Sequence, residues 1–233
     1  MPKVLTSFED LGKAVHSMQQ AGLTSHPHTM KDWDMFQIND LLNNYPKNAY
    51  ILDMGCGGSH VLRLFYEKGF VNCTGIDLTI SRTDRMTQVK FMFSRKPKRP
   101  YRRMKRPYRL MRMNMMKTNF PDSYFDLVVS LSVIEHEVDL NAFFKEAYRI
   151  LKNGGVLFLT TDYWEPKIST DQLKIYGLKW NIFSKKELEN LVRLSEEYGF
   201  SSSDHDFPSV GETFVHWKGK NYTFASVTLK KGN

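Results

Sequence analysis

The sequence predicts a single α/β domain on a largely parallel sheet, and three observations carry that expectation. A strand, a glycine turn, a helix and a second strand follow one another between residues 49 and 78. Apolar strands then alternate with helical patterns up to residue 161, an order that builds a parallel sheet with helices on both faces. The chain closes on what reads as an antiparallel hairpin.

Each element has its own signal. Phe8, Leu11, Val15 and Met18 recur at helical spacing, so residues 8–20 read as an amphipathic helix. Gly22–Thr29 is a loop by its glycine, proline and polar content. Residues 31–44 form a second helical pattern that carries Trp33, Phe36, Leu41 and Leu42 and stops before Pro46. Residues 1–45 are too few to bury a core alone, so they read as a helical lid or extension on a domain spanning 46–233. Ala49–Met54 is a short apolar strand that runs into glycines. A helix at 59–68 is closed by Gly69, and Val71–Leu78 is the second strand. A helix is expected at 81–93, followed by a proline-punctuated basic loop, Arg95–Arg106, and a third strand at Leu110–Met115. Phe125–Ser132 reads as a buried strand, 139–151 as a helix, Asn153-Gly154-Gly155 as a turn and Val156–Thr161 as the next strand. Ser184 and Glu187 form a capping box that opens a helix through Tyr198, with Gly199 as its stop. Glu212–Trp217, a Lys218–Lys220 turn and Tyr222–Lys230 make the final hairpin.

Composition excludes several classes. With 41% hydrophobic and 13% aromatic residues in 233, the chain can bury a sizeable core. No apolar run approaches a membrane span, and the first residues lack an apolar signal core, which points to the cytoplasm. Cys56 and Cys73 make no disulfide framework and read as free thiols in a reducing compartment. The net charge of +8 is concentrated in one place. From Arg82 to Lys117 there are 14 Lys/Arg against Asp84 alone, a local +13, which leaves 8 − 13 = −5 for the rest. Any attraction to an anionic partner therefore belongs to the basic insertion at about 82–112.

The chemistry starts at Asp53-Met54-Gly55-Cys56-Gly57-Gly58, where glycines let the chain turn off the strand and expose backbone to a ligand. Asp77 follows 24 residues after Asp53, at the end of the next strand, where a carboxylate can accept bonds from both hydroxyls of a ribose. A nicotinamide dinucleotide site expects a third glycine opening the helix, but Ser59 and His60 stand there. An acid at the turn repels a pyrophosphate and suits the ammonium of a methionine moiety. These residues favour S-adenosylmethionine.

Asn119–Asp162 closely resembles the central block of the class I methyltransferases often called type 11. The likeness rests on Phe125-Asp126, Glu135-His136, Glu146, Arg149, Leu151-Lys152 and Gly154-Gly155, and with the glycine turn and Asp77 it covers roughly residues 49–162. The resemblance implies a Rossmann-like seven-stranded sheet in the order 3-2-1-4-5-7-6 with strand 7 antiparallel. It implies that Asp53, Gly55, Cys56 and Gly57 line the methionine end of S-adenosylmethionine, that Asp77 holds the ribose and that Leu78 covers one adenine face. Asn114, with Met115 beside it, stands where the family has an acid that meets the adenine amine, and Ser130 and Leu131 fall beneath the sulfonium. His28–Asp34, the stretch from Tyr176 and the ending Tyr222-Thr223-Phe224 are also similar to members from polysaccharide and sugar-modification clusters.

Methyl transfer needs mainly in-line placement, and a hydroxyl acceptor adds the need for a base. His136, Asp162 and Tyr163 stand at the ends of strands and are the catalytic candidates; Glu212 and His216 lie on the last hairpin and can reach the same rim. Glu135-His136 alternatively caps and buttresses the site. A metal role lacks an upstream acid, because Ser132 stands there, so no metal site is expected. The histidines of His26-Pro27-His28 lack the spacing and partners of a zinc site, which leaves a loop over the cofactor with Trp33 packed on the domain. Arg95–Arg106 has three readings: a track for nucleic-acid phosphates, a grip on an anionic small-molecule or glycan acceptor, or a solvated loop. The leading expectation is O-methylation of a small polar acceptor such as a sugar or glycan derivative. The alternatives are an RNA methyltransferase that uses the basic loop and a non-catalytic cofactor-binding scaffold. Ser130-Leu131-Ser132-Val133 stands where base-amine methylation usually shows Asn/Asp-Pro-Pro-Tyr/Phe, which weighs against nucleic acid.

Overall fold

The computed structural model describes residues 4–26, 28–58, 60–86, 108–203 and 206–232. Helices α1 (Phe8–Gln20) and α2 (Asp32–Leu41) precede strand β1 (Tyr50–Met54), helix α3 (His60–Glu67), and strands β2 (Asn72–Asp77), β3 (Arg109–Arg112) and β4 (Phe125–Leu131). Helix α4 (Leu140–Ile150) leads into β5 (Leu151–Tyr163) and a small hairpin of β6 (Lys174–Ile175) and β7 (Leu178–Lys179). Helix α5 (Lys185–Glu197), β8 (Phe200–Ser202), β9 (Val215–Trp217) and β10 (Lys220–Lys231) complete the chain.

The main sheet runs β3-β2-β1-β4-β5-β10-β8, with β10 antiparallel to both neighbours. Counted along the chain, those strands stand in the expected order 3-2-1-4-5-7-6. Alternation divides their side chains between two core layers: Leu127 and Val129 of β4 face one, and Val128 faces the other. The layer with Val128 packs under Phe143, Phe144 and Ala147 of α4 and Leu188 and Leu191 of α5. The other is closed by Leu62, Leu64 and Phe65 of α3 and by Met35 and Ile38 of α2. The N-terminal segment is sewn into these layers. Val4, Leu5, Leu11, Ala14 and Trp33 are buried in the first and Met18 in the second, and Leu5 N–H donates to the Phe224 carbonyl at 3.0 Å.

Several local expectations are corrected. The strand beside β10 in the main sheet is Phe200–Ser202, whereas Val215–Trp217 pairs with Lys220–Tyr222 at the start of β10. Three residues after a glycine stop are too few to show an alternating pattern. The third strand ends at Arg112, because Asn114 turns the chain by accepting the Met116 N–H at 2.9 Å. Asn153-Gly154-Gly155 is an irregularity inside β5, where register shifts between Phe125/Leu151 and Leu127/Val156. The second helical pattern opens and closes on short 3₁₀ turns, Thr29–Lys31 and Leu42–Asn44. The capping box of Ser184 and Glu187 forms as read. Of the helix expected at 81–93, residues 82–86 are helical, and Arg95–Arg106 lies outside the described residues. Among the described residues, no helix is long and apolar enough to cross a membrane.

Because Trp33 is fully buried in the layer it shares with β1, β4 and β5, Trp33→Ala should destabilise the protein by about 3–5 kcal/mol in chemical denaturation. A loss below about 1 kcal/mol would place the N-terminal segment outside the cooperative core.

Candidate active site

The C-terminal ends of β1, β2, β4 and β5 meet at one edge, where open α/β sheets bind ligands. At the end of β1 the Gly55 and Cys56 N–H groups both donate to the Ile76 carbonyl, at 2.8 and 3.0 Å, which bends the chain off the strand. Gly55 has φ +80°, and a Cβ there would lie 2.5 Å from Val133 Cγ2. Only glycine satisfies both the turn and that approach. Gly57 N–H donates to Asp77 Oδ2 at 3.1 Å, and Thr79 N–H donates to Asp77 Oδ1 at 3.0 Å. The acid at the end of β2 is thereby aimed across the glycine turn.

Asp53 is buried and its Oδ2 has no hydrogen-bond partner. Burial, with the neighbouring Asp77 carboxylate, pushes its pKa up to about 8. A buried acceptor atom without a donor is costly, and the ammonium of a methionine moiety would supply one. Beyond Asp77, Leu78 (54% exposed), Thr79, Arg112, Met113 and Asn114 line an open cleft, and Arg112 Nε donates to the Leu78 carbonyl at 2.9 Å. The residues present therefore fit S-adenosylmethionine: Asp53 could hold the ammonium, Asp77 the ribose, and Leu78 with Asn114 the adenine. Three expected contacts are placed differently. Met115 packs against the core, the buried Ser130 donates its hydroxyl to the Met54 carbonyl at 3.0 Å, and Leu131 packs on the α3 side. Ser130 thus braces the glycine turn from below. Cys56 is a buried free thiol raised by burial, a packing group behind the turn.

Past β4 the chain reverses through Ser132 (φ +50°), whose N–H donates to the Thr160 carbonyl, and presents Glu135 and His136. Glu135 is buried, with Oε2 accepting from Thr161 Oγ1 at 3.3 Å and Oε1 without a partner. Asp162, at the end of β5, accepts from Trp180 Nε1 at 2.8 Å. Burial raises both carboxyls, and Asp162 is pushed up to about 6. His136 is half-buried, its Nδ1 has no partner, and burial followed by the Lys31 charge holds its pKa below the usual histidine value. Lys31 reaches in from the N-terminal segment. Its Nζ donates to Ser132 Oγ, lies 3.3 Å from the buried Asp34 Oδ2 and sits 3.5 Å from the centre of the Phe224 ring.

Tyr163 is not part of this chamber. On a strand, neighbours point to opposite faces, and its buried hydroxyl faces the Phe207 and Pro208 carbonyls at 3.1 and 3.0 Å. Glu212 and His216 are exposed, and His216 pairs with Asn221 within the last hairpin. Lys31, Asp34 and Trp180 are site residues that sequence reasoning assigned no role. Lys31 and Asp34 stood in the His28–Asp34 stretch as an i,i+3 pair at a helix start, a pattern that surface pairs share.

Asp77→Ala should weaken S-adenosylhomocysteine binding by about 1.5–3 kcal/mol in calorimetry. Asp53 adds a pH signature. Its pKa in the free protein lies above the ordinary 3.8, so the proton is held until about pH 8. An ammonium favours the ionised form, so affinity should rise as pH rises through that value and lose this dependence in Asp53→Asn. By the same linkage Asp53 makes the free protein less stable as pH rises from 3.8 to about 8.

Residues 52–159 match a family model described as a methyltransferase domain. A sterol 24-C-methyltransferase of Gibberella zeae is 24% identical over 166 residues, which are 67% of this chain and 40% of that protein. A ubiquinone biosynthesis O-methyltransferase of Pelagibacter ubique is 26% identical over 163 residues, 68% of this chain and 62% of that one. The chain thus spans less than two thirds of the length of these relatives. In fold it is similar to the 1,6-didemethyltoxoflavin-N1-methyltransferase of Burkholderia thailandensis, with a TM-score of 0.63 at 13% identity, covering 97% of this chain and 87% of that one. It is similar as well to an S-adenosylmethionine-dependent methyltransferase from Methanosarcina mazei, with a TM-score of 0.58 at 19% identity, covering 83% and 97%. The family match runs from β1 to β5, through the strands that carry the glycine turn, Asp77 and Glu135, and together with the fold it supports a class I S-adenosylmethionine-dependent methyltransferase of the type 11 kind.

Proposed function

We propose that this chain transfers a methyl group to a hydroxyl of a small polar acceptor, a sugar or glycan derivative. The observation that carries this reading is the cluster of buried polar side chains past β4, in which Glu135 Oε1 and His136 Nδ1 have no partner and Asp162 stands close by. Carboxyls raised by burial donate as well as accept, as does an imidazole, so the cluster suits a ligand whose groups also do both. A polyhydroxylated acceptor does so. Relatives named for sterols and for a phytyl hydroquinone act on far more apolar molecules, for which burying these carboxyls is unfavourable. The ubiquinone relative is named as an O-methyltransferase, which agrees with a hydroxyl as the nucleophile.

When bound, S-adenosylmethionine supplies a methyl group already activated on a sulfonium. The protein's part is then placement and proton removal. Asp53 would hold the ammonium end of the cofactor and Asp77 its ribose. Glu135 and Asp162 orient the acceptor's hydroxyls, and Lys31 balances part of their charge. His136, kept neutral by burial and by Lys31, would accept the proton of the acceptor hydroxyl that takes the methyl group, with S-adenosylhomocysteine the departing thioether. The basic stretch Arg95–Arg106 adds attraction for an acidic group elsewhere on the acceptor.

A screen with methyl-labelled S-adenosylmethionine against sugars, glycosides, quinols, sterols and RNA tests the acceptor, and label in RNA or a sterol alone would overturn this reading. His136→Gln should lower kcat by about 10²–10⁴-fold with cofactor affinity unchanged. Since the His136 pKa is held below 6.5, activity should persist to below that pH before falling as the imidazole protonates. Replacing Arg102, Arg103, Lys105 and Arg106 by Ser should raise the acceptor KM, with RNA binding weak throughout. Tight RNA binding that falls steeply with salt and is lost in that variant would move the substrate to nucleic acid.

A further inference from the structure

Two aromatic rings beside the chamber are not used by the chemistry above. Tyr176 is 87% exposed at the tip of the β6–β7 hairpin, with φ +56°, followed by Gly177 at φ +83°. Two consecutive left-handed residues form the tight turn that Asn-Gly fills best, so a tyrosine at the first position is a poor choice for folding alone. Yet the hairpin is firmly held. Lys179 N–H donates to Glu137 Oε2 at 3.0 Å, Asn181 N–H donates to the Glu135 carbonyl at 2.9 Å, and Ile175 is buried below. The Tyr176 ring consequently stands 5.8 Å from the His136 ring, nearly perpendicular at 76°. Trp217 ends β9 at the mouth of the other hairpin, is 37% exposed, and packs edge-on against Trp180 at 5.3 Å. Trp180 in turn holds Asp162.

We infer that Tyr176 and Trp217 form a second acceptor subsite, which stacks a further sugar ring beside the unit being methylated, so that the acceptor is a glycan of two or more rings. This rests on the glycan reading proposed above and specifies it. A sugar ring has an apolar C–H face and a rim of hydroxyls. The Tyr176 ring offers the flat face, and the exposed Glu137 and Lys179 at its base offer hydrogen-bonding groups for the rim. A flat aromatic ligand would instead favour an enclosed apolar slot, and Tyr176 is open to solvent on nearly all sides. The ring is adjacent to His136, so a unit stacked on it extends directly from the one in the chamber.

The test uses the full chain with S-adenosylhomocysteine bound, applied to an array of mono- to tetrasaccharides. The wild type should retain oligosaccharides in preference to their monomers. Tyr176→Ala and Trp217→Ala should each weaken that retention by about tenfold, as expected for a lost stacking contact, while Tyr176→Phe preserves it. Affinity for S-adenosylhomocysteine should be unchanged in all three, and His136→Gln should still retain glycans, which separates this subsite from the catalytic step. Equal retention of monomers and oligomers by wild type and Tyr176→Ala overturns the inference. So does a methylated monosaccharide whose KM neither rim variant changes, an outcome that leaves the proposed O-methylation standing. If no glycan is retained and label goes to another small molecule, the subsite and the glycan acceptor fall together.

Discussion

The close approach of Gly55 to Val133 is the constraint on which the site depends. A side chain at Gly55 would overlap Val133, so the end of β1 and the loop after β4 can lie at this separation only because that glycine is bare. Glu135 and His136 follow Val133 in the same reversal, and the cofactor turn follows Gly55. One van der Waals contact therefore sets the distance between the glycine turn and Glu135 with His136. Gly75 repeats the device on the other side, where a Cβ would lie 2.4 Å from Leu62 Cδ1 and 2.8 Å from Cys56 Cβ. The turn is thus packed between β2 and the loop after β4, which suits a reaction that depends on placement.

The chamber stores electrostatic cost. Asp34, Glu135 and Asp162 are buried near one another, and burial raises the pKa of each. Lys31 offsets part of this through its contacts with Asp34 and Ser132 and its seat over Phe224. Buried carboxyls held this way stabilise a fold poorly, and their presence is better explained by a ligand that satisfies them. Lys31 comes from the N-terminal segment, so the segment that completes both hydrophobic layers also supplies the chamber's cation.

Much of the family's motif serves architecture. Glu146 accepts from the Thr118 N–H at 2.7 Å and pairs with Arg149, which also bonds Asp122 and the Phe120 carbonyl. Lys152 pairs with Asp126 at 2.7 Å across the irregularity in β5. These ties fix the turn that feeds β4 and the entry to β5, and so hold the strand ends at the right height without touching a ligand. The glycine turn, Asp77 and Glu135-His136 are the parts of the motif left to the candidate site.

The chain's pattern by itself determined the α/β sheet, the glycine turn, the acid at the end of β2 and the capped helix at Lys185–Glu197, because each is written in residues close together in sequence. The backbone needs its glycines where it turns, and helices and strands show their periods locally. Tertiary structure alone decided that Phe200–Ser202 is the sheet's edge, since three residues hold too little alternation to be seen. It separated Asp162 from Tyr163, neighbours in sequence that point to opposite faces and meet different partners. It also brought Lys31 to Ser132, 101 positions away, and Trp180 to Asp162. Such pairings arise from packing between distant segments, and no local spacing encodes them.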